Sequence, residues 1–234
     1  MRFTRPKLSR TIAALAVMAI LLGLGFWQLD RLGQKRDLIL KIAERAISEP
    51  VPAPGFSEPG DIDFEFRRAT ATGTFRHDLE IAIYAIGPGG APGYRIYTPL
   101  ERNSGGVILV NRGWVPTALK GRALRAEGLP PGVVTVVGIL RHPGAKARFT
   151  PENQPQTNAW FWLDLDLAAD ARGLENLAYY FIEAAADPDS PGPPCGATSA
   201  PYIANNHLGY MLTWFSLALA LAVIFAIFHR RKDD

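Results

Sequence analysis

Two runs without a single charged side chain, residues 11–29 and 208–228, constrain this chain more than anything else in it. A helix rises about 1.5 Å per residue, so about 20 apolar residues are needed to cross about 30 Å of hydrocarbon. At 19 and 21 residues, both runs are long enough. The spacing predicts two membrane spans with a folded segment of roughly domain size between them.

A basic start ahead of an apolar run is also how a cleaved signal peptide begins. Here the run ends in Phe26-Trp27-Gln28 rather than in small residues, and it continues into a helical-looking stretch. It therefore reads as an uncleaved anchor. Two spans place both tails on one side, and the tails carry Arg2, Arg5, Lys7 and Arg10 at one end and Arg230, Arg231 and Lys232 at the other. Arg31, Lys35, Arg36, Lys41 and Arg45 follow the first span closely and oppose this bias. Long translocated domains largely escape the charge rule, so the tails are expected in the cytoplasm and the central domain in the periplasm. The short basic start fits a bacterial inner membrane better than a mitochondrial one.

The net charge of +3 is small and much of it sits in the tails, which gives no case for nucleic acid. The single cysteine, Cys195, excludes an internal disulfide and every paired-cysteine metal motif. It lies in a Pro- and Gly-rich stretch and reads as a free thiol.

Residues 30–48 keep apolar positions at helical spacing among charges, which predicts a helical extension of the first span. The Pro-rich residues 49–63 end that helix as a linker. From residue 64 the pattern changes to short runs rich in β-branched and aromatic residues, at 67–75, 79–86, 94–100, 106–110, 133–140, 160–163 and 179–184. Residues 116–127 and 166–176 are the expected short helices, with Asp166 a candidate helix cap. The fold class expected is a membrane protein with two transmembrane helices flanking a mostly antiparallel β (α+β) domain. Its parts are a tail over 1–10, a span over 11–29, the β-rich domain over 64–186, a tether over 187–206, a span over 207–228 and a tail over 229–234.

Several signals in the domain carry little chemistry. Gly87-Pro-Gly-Gly-Ala-Pro-Gly93 lacks the Lys-Ser/Thr ending of a phosphate loop. His77 and His142 have turn-like neighbours and no ligand spacing to a second histidine. Asp164 and Asp166 read as solvated. No nucleophile elbow or His-Glu-x-x-His zinc motif is present.

The start of the second span is more informative. His207, Tyr210, Met211 and Trp214 stand at i, i+3, i+4 and i+7 and share one helix face. Aromatic belts occur at membrane interfaces for solvation alone, but an ionisable group at the bilayer edge is a functional candidate by default. The first span, running the opposite way, brings Phe26, Trp27, Gln28 and Arg31 to the same depth as His207. The imidazole could ligate a haem iron, aromatic faces could hold the porphyrin and Arg31 could pair with a propionate. The same residues are equally readable as helix packing around a satisfied interfacial histidine.

In order along the chain stand Leu24-Gly-Phe-Trp-Gln-Leu-Asp-Arg-Leu-Gly-Gln-Lys35, Gly73-Thr-Phe75, Pro92-Gly-Tyr94, Tyr97-Thr-Pro-Leu100, Val110-Asn-Arg-Gly-Trp-Val-Pro116, residues 158–164, and Asn205-Asn-His-Leu-Gly-Tyr-Met-Leu-Thr-Trp-Phe215. With these segments the chain resembles the Surfeit-locus family of cytochrome c oxidase assembly factors, over nearly its whole length and most closely the bacterial type. Met211 stands where a small residue is usual in this motif. The resemblance implies a non-enzymatic role in oxidase maturation, with haem a bound as cargo and His207 as the axial ligand of its iron. It further implies oxidase subunit I and haem a synthase as partners, alongside membrane lipid, and is compatible with self-association. Trp27, Gln28, Arg31, Tyr210 and Trp214 join His207 as binding candidates on geometry alone. The Arg112-Gly113-Trp114 segment is expected either as an exposed turn that docks a partner or as a strand end with a packed Trp114. Two alternatives stand beside this reading. One is a cofactor-free scaffold for oxidase intermediates; the other is a membrane-anchored enzyme, which would need Arg95, Asp164 and Asp166 to converge in one pocket.

Overall fold

A computed structural model describes residues 7–55, 63–187, 192–196 and 204–229. Most of both expected tails, part of the Pro-rich linker and much of the tether lie outside them. The elements in chain order are α1 (Leu8–Ile47), β1 (Val51–Pro52), β2 (Arg68–Phe75), β3 (Ile81–Ile86), β4 (Pro92–Arg102), β5 (Val107–Pro116), β6 (Val133–Arg141), α2 (Leu165–Arg172), β7 (Leu177–Ala184) and α3 (His207–Phe228). They form two compact units, Met1–Lys41 with Pro201–Asp234, and Ile42–Ala200.

Two helices are long and apolar enough to cross a membrane, α1 near the N-terminus and α3. The protein is thus a membrane protein with a β-rich domain between two apolar helices. No proline interrupts α1 over its 40 residues. At about 1.5 Å per residue it is about twice as long as a bilayer core is thick, so its charged second half extends beyond the apolar first half. Gln34 Nε2 donates to Asp30 Oδ2 (2.7 Å) and Arg31 Nη1 donates to Gln34 Oε1 (2.8 Å), side-chain pairs one turn apart that support this polar stretch.

In the central unit, one seven-stranded sheet runs in the order β1-β2-β6-β7-β5-β4-β3 and closes on itself because β2 also pairs with β4. The long β4 makes the closure. Its first half pairs with β3, and its end, Leu100 to Arg102, pairs with Phe75 to Gly73 of β2. A Cβ at Gly73 would stand 2.1 Å from the carbonyl oxygen of Glu101, so only glycine lets the two backbones meet there. The pairings are antiparallel except β5 with β7 and the short β1 with β2.

Period-2 alternation decides what each strand buries. Ile108 and Val110 of β5 and Tyr180 and Ile182 of β7 join Phe64, Phe75, Leu100 and Leu140 inside the barrel. The residues between them, Leu109 and Phe181, face outward into a second core with Ile81, Tyr97, Trp160 and Leu163, next to Ala168 of α2. Both faces of β5 and β7 are therefore covered, which is why Val107-Ile-Leu-Val110 reads as an unbroken apolar run.

Three expectations change. The short helix expected over residues 116–127 is divided into two 3₁₀ helices, Thr117–Leu119 and Arg122–Gly128. Arg125 leaves the helical region (φ −132°) and turns its guanidinium inward, donating to Glu80, Leu119 O and Lys120 O. Residues 160–163 make no strand: Asn158 is left-handed (φ 51°), and the chain touches the sheet at one bridge, Trp160 to Ile83, while the Trp160 ring is fully buried. The cap of α2 is Asp164, whose Oδ1 accepts from Leu167 N at 3.0 Å, and Asp166 sits in the first turn.

Candidate functional site

Within the apolar run of α1 the shielded positions include Ala14, Met18, Leu21, Gly25 and Gln28, and those of α3 include His207, Met211, Trp214, Ala218, Leu221 and Phe225. Both series alternate steps of three and four, the 3.5-residue period of helices that wrap with a left-handed crossing. The helices run antiparallel. Arg10 lies with Phe225 and His229 at one end, and Gln28 meets His207 at the other.

Near that second end the packing is close. Phe26 and Phe215 meet edge to face with centroids 5.4 Å apart. A Cβ on Gly25 would stand 2.6 Å from Cε1 of Phe215, so the ring occupies space that only a glycine leaves. Neither contact was expected from the sequence, although the heptad spacing that produces them is readable in both apolar runs.

Gln28 is 8% exposed, and a shielded amide among apolar side chains needs a partner. His207 supplies it: its Nδ1 donates to Gln28 Oε1 at 2.7 Å. With the proton on Nδ1 the lone pair is on Nε2, and no described residue hydrogen-bonds that nitrogen. An imidazole held by one nitrogen and open at the other is how histidine is presented to a metal.

The remaining candidates divide. Trp27 (49% exposed) stands beside Gln28 on the outer flank of α1, with the Arg31 guanidinium 5.7 Å from its ring centroid. Tyr210 (57% exposed) is on the outer flank of α3, and Trp214 is in the helix–helix stripe. The structure thus brings Gln28 and His207 into direct contact and pairs Trp27 with Arg31. Among the described residues no side-chain hydrogen bond or ring contact joins these two pairs or connects either with Tyr210.

The docking reading of Arg112-Gly113-Trp114 is corrected. These residues belong to β5, Arg112 is buried, and Trp114 Nε1 donates to Ala85 O (3.1 Å). The packing alternative holds, with the Trp114 ring over Gly87 and Gly93. Asp164 and Asp166 line one cavity, but Arg95 is exposed on β4 and does not join them.

The SURF1 family model matches residues 15–219 of this chain. A SURF1-like protein of Monosiga brevicollis is 35% identical over 233 residues, covering 94% of this chain and 87% of the relative. Surfeit locus protein 1 of Mus musculus is 32% identical over 234 residues, covering 93% of this chain and 75% of the relative. The Homo sapiens protein of that name is 32% identical over 219 residues, covering 86% and 71%. The match includes both apolar helices and the whole barrel between them, and the chain belongs to the SURF1 family.

Proposed function

We propose that this protein is a cytochrome c oxidase assembly factor that takes up haem a at its helix pair and passes it to oxidase subunit I. The observation that carries the reading is the hydrogen bond from His207 Nδ1 to Gln28 Oε1, which leaves Nε2 as a fixed donor for an iron. The donor set suits a haem. It offers a single imidazole, as at one axial position of haem iron, whereas a bare structural zinc ion takes four ligands. Among the described residues no three His, Cys, Asp or Glu side chains gather around a metal-sized space. The flanking Trp27 and Tyr210 offer flat aromatic faces to a porphyrin, Trp214 lies one turn beyond Tyr210, and Arg31 offers a guanidinium to a propionate.

The role is binding and transfer rather than bond-making. Haem a is too apolar to travel through water, so a carrier must shield it, and one protein ligand leaves the other axial position open for exchange. Haem a synthase is the natural source and subunit I the recipient. In this reading both termini are cytoplasmic, the barrel is periplasmic, and the membrane is the inner membrane of a bacterium. A cofactor-free scaffold is the competing reading. The two separate in cells whose oxidase assembly depends on this protein. Replacing it with His207→Ala should lower haem a incorporation into the oxidase severalfold at unchanged levels of the protein, and full incorporation would favour the scaffold.

A further inference from the structure

Away from the helix pair, the barrel unit has a cavity of about 410 Å³ whose walls include Phe75, Arg112, Val134, Val136 and Cys195. That volume is within the range of about 300 to 1,000 Å³ usual for small-molecule sites. Arg112 is 7% exposed and comes from the middle of β5. Its Nη2 donates to Gly128 O, and its guanidinium lies 4.9 Å from the centroid of Phe75. Among the described residues its Nη1 is buried with no hydrogen-bond partner.

Among the described residues the charge around it does not balance. The nearest buried carboxylate, Glu80, is already paired with the buried Arg125, whose Nη2 reaches Glu80 Oε1 at 2.5 Å. His77 supplies no negative charge, and burial lowers its pKa, with Arg112 lowering it further. Asp187 is at the exposed rim of the cavity and is not among the charges that act on Arg112. Burial pushes the Arg112 pKa down to about 10, which still leaves it cationic at neutral pH. Two buried guanidiniums thus share one carboxylate. An unpaired buried charge is costly, and an incoming anion relieves that cost.

We propose that this cavity is a binding site for a small amphiphilic carboxylate, its head group on Arg112 and its apolar body along Phe75, Val134 and Val136. A monoanion matches the single uncompensated charge. A phosphate monoester would bring a second negative charge against walls of valine and phenylalanine. The planar guanidinium also suits a carboxylate, which it can grip through two nitrogens.

Cys195 is the one cysteine of the chain, is exposed and lines the same cavity, so it reports occupancy. The full chain in phosphatidylcholine nanodiscs is alkylated with iodoacetamide in the presence of 4-phenylbutyrate or of 4-phenylbutanol. The alcohol enters the bilayer at least as readily, so an effect of the membrane acts on both. The proposal expects a saturable, severalfold slowing by the carboxylate alone. That protection should disappear in Arg112→Met and in Ala185→Phe, which adds bulk at an exposed residue of the cavity wall and leaves Arg112 in place. If Arg112→Met does not fold, Ala185→Phe decides. Equal protection by the alcohol, no protection by either compound, or protection that persists in a folded variant overturns the proposal.

Discussion

Gln28→Leu is the substitution that most directly tests how His207 is held. Leucine fills similar space in the helix stripe but offers no acceptor. His207 Nδ1 would lose its 2.7 Å bond at a position where Gln28 is only 8% exposed and water replaces it poorly. A net hydrogen bond of about 1 kcal/mol corresponds to about a fivefold preference for one tautomer. Where such a bond orients a metal ligand, losing it typically costs about 10- to 100-fold in affinity, or about 1.4 to 2.7 kcal/mol. Two assays read this. Histidine ¹⁵N chemical shifts of the haem-free protein, with His207 assigned from His207→Ala, should show an Nδ1–H tautomer that gives way to a mixture in Gln28→Leu. Haem titration in nanodiscs should show a loss of about tenfold or more in Gln28→Leu, and no further loss when Gln28→Leu is added to His207→Ala. An unchanged tautomer would refute the hydrogen-bond argument. Equal losses in both backgrounds would show that Gln28 acts on the helix pair and not through His207.

Gly25→Leu should separate or shift α1 and α3, because its Cβ would stand 2.6 Å from Phe215; disulfide trapping between cysteines placed across the stripe should fall sharply. Trp160→Ala removes a fully buried ring that links β3 to the outer core and should cost about 3 to 5 kcal/mol, read by denaturant unfolding in detergent. His77 has a lowered pKa because burial disfavours its charged form, and no described residue would accept a hydrogen bond from a protonated Nδ1. The unfolded chain therefore binds more protons near the ordinary value of 6.5. Stability should fall as the pH drops through that value, and His77→Gln, which can still donate to Pro130 O, should flatten the dependence.

The architecture was legible where one local rule decides. Absence of charge over about 20 residues announces a membrane helix, and short runs rich in β-branched and aromatic residues announce β2 to β7. Closure of the barrel was not legible, since period 2 says which face a residue takes but not which strand lies beside it. It depends on β4 leaving β3 for β2, and only Gly73 marks the place. The stretch from Trp160 to Leu163 looks like a strand because its ends are apolar, yet they are apolar to plug the outer core. The sequence left Arg112 open between an exposed turn and a strand end, because it does not show that a Gly128 carbonyl and the Phe75 ring will receive its guanidinium inside. At the helix pair, residue types and spacing single out His207 and its neighbours as candidates. The direct bond to Gln28 needed the rotation of α1 against α3, which the interleaved small and large residues Gly25, Phe215 and Ala218 set.

The central claim is that His207 is the ligand for haem a. The most direct measurement is the visible spectrum of the protein purified in mild detergent from cells that make haem a, beside that of His207→Ala. The account expects a haem a band in the wild-type protein that is lost or shifted in the variant. The same band in both would remove His207 from the site, and colourless protein in both, with oxidase assembly still dependent on the chain, would contradict the carrier reading.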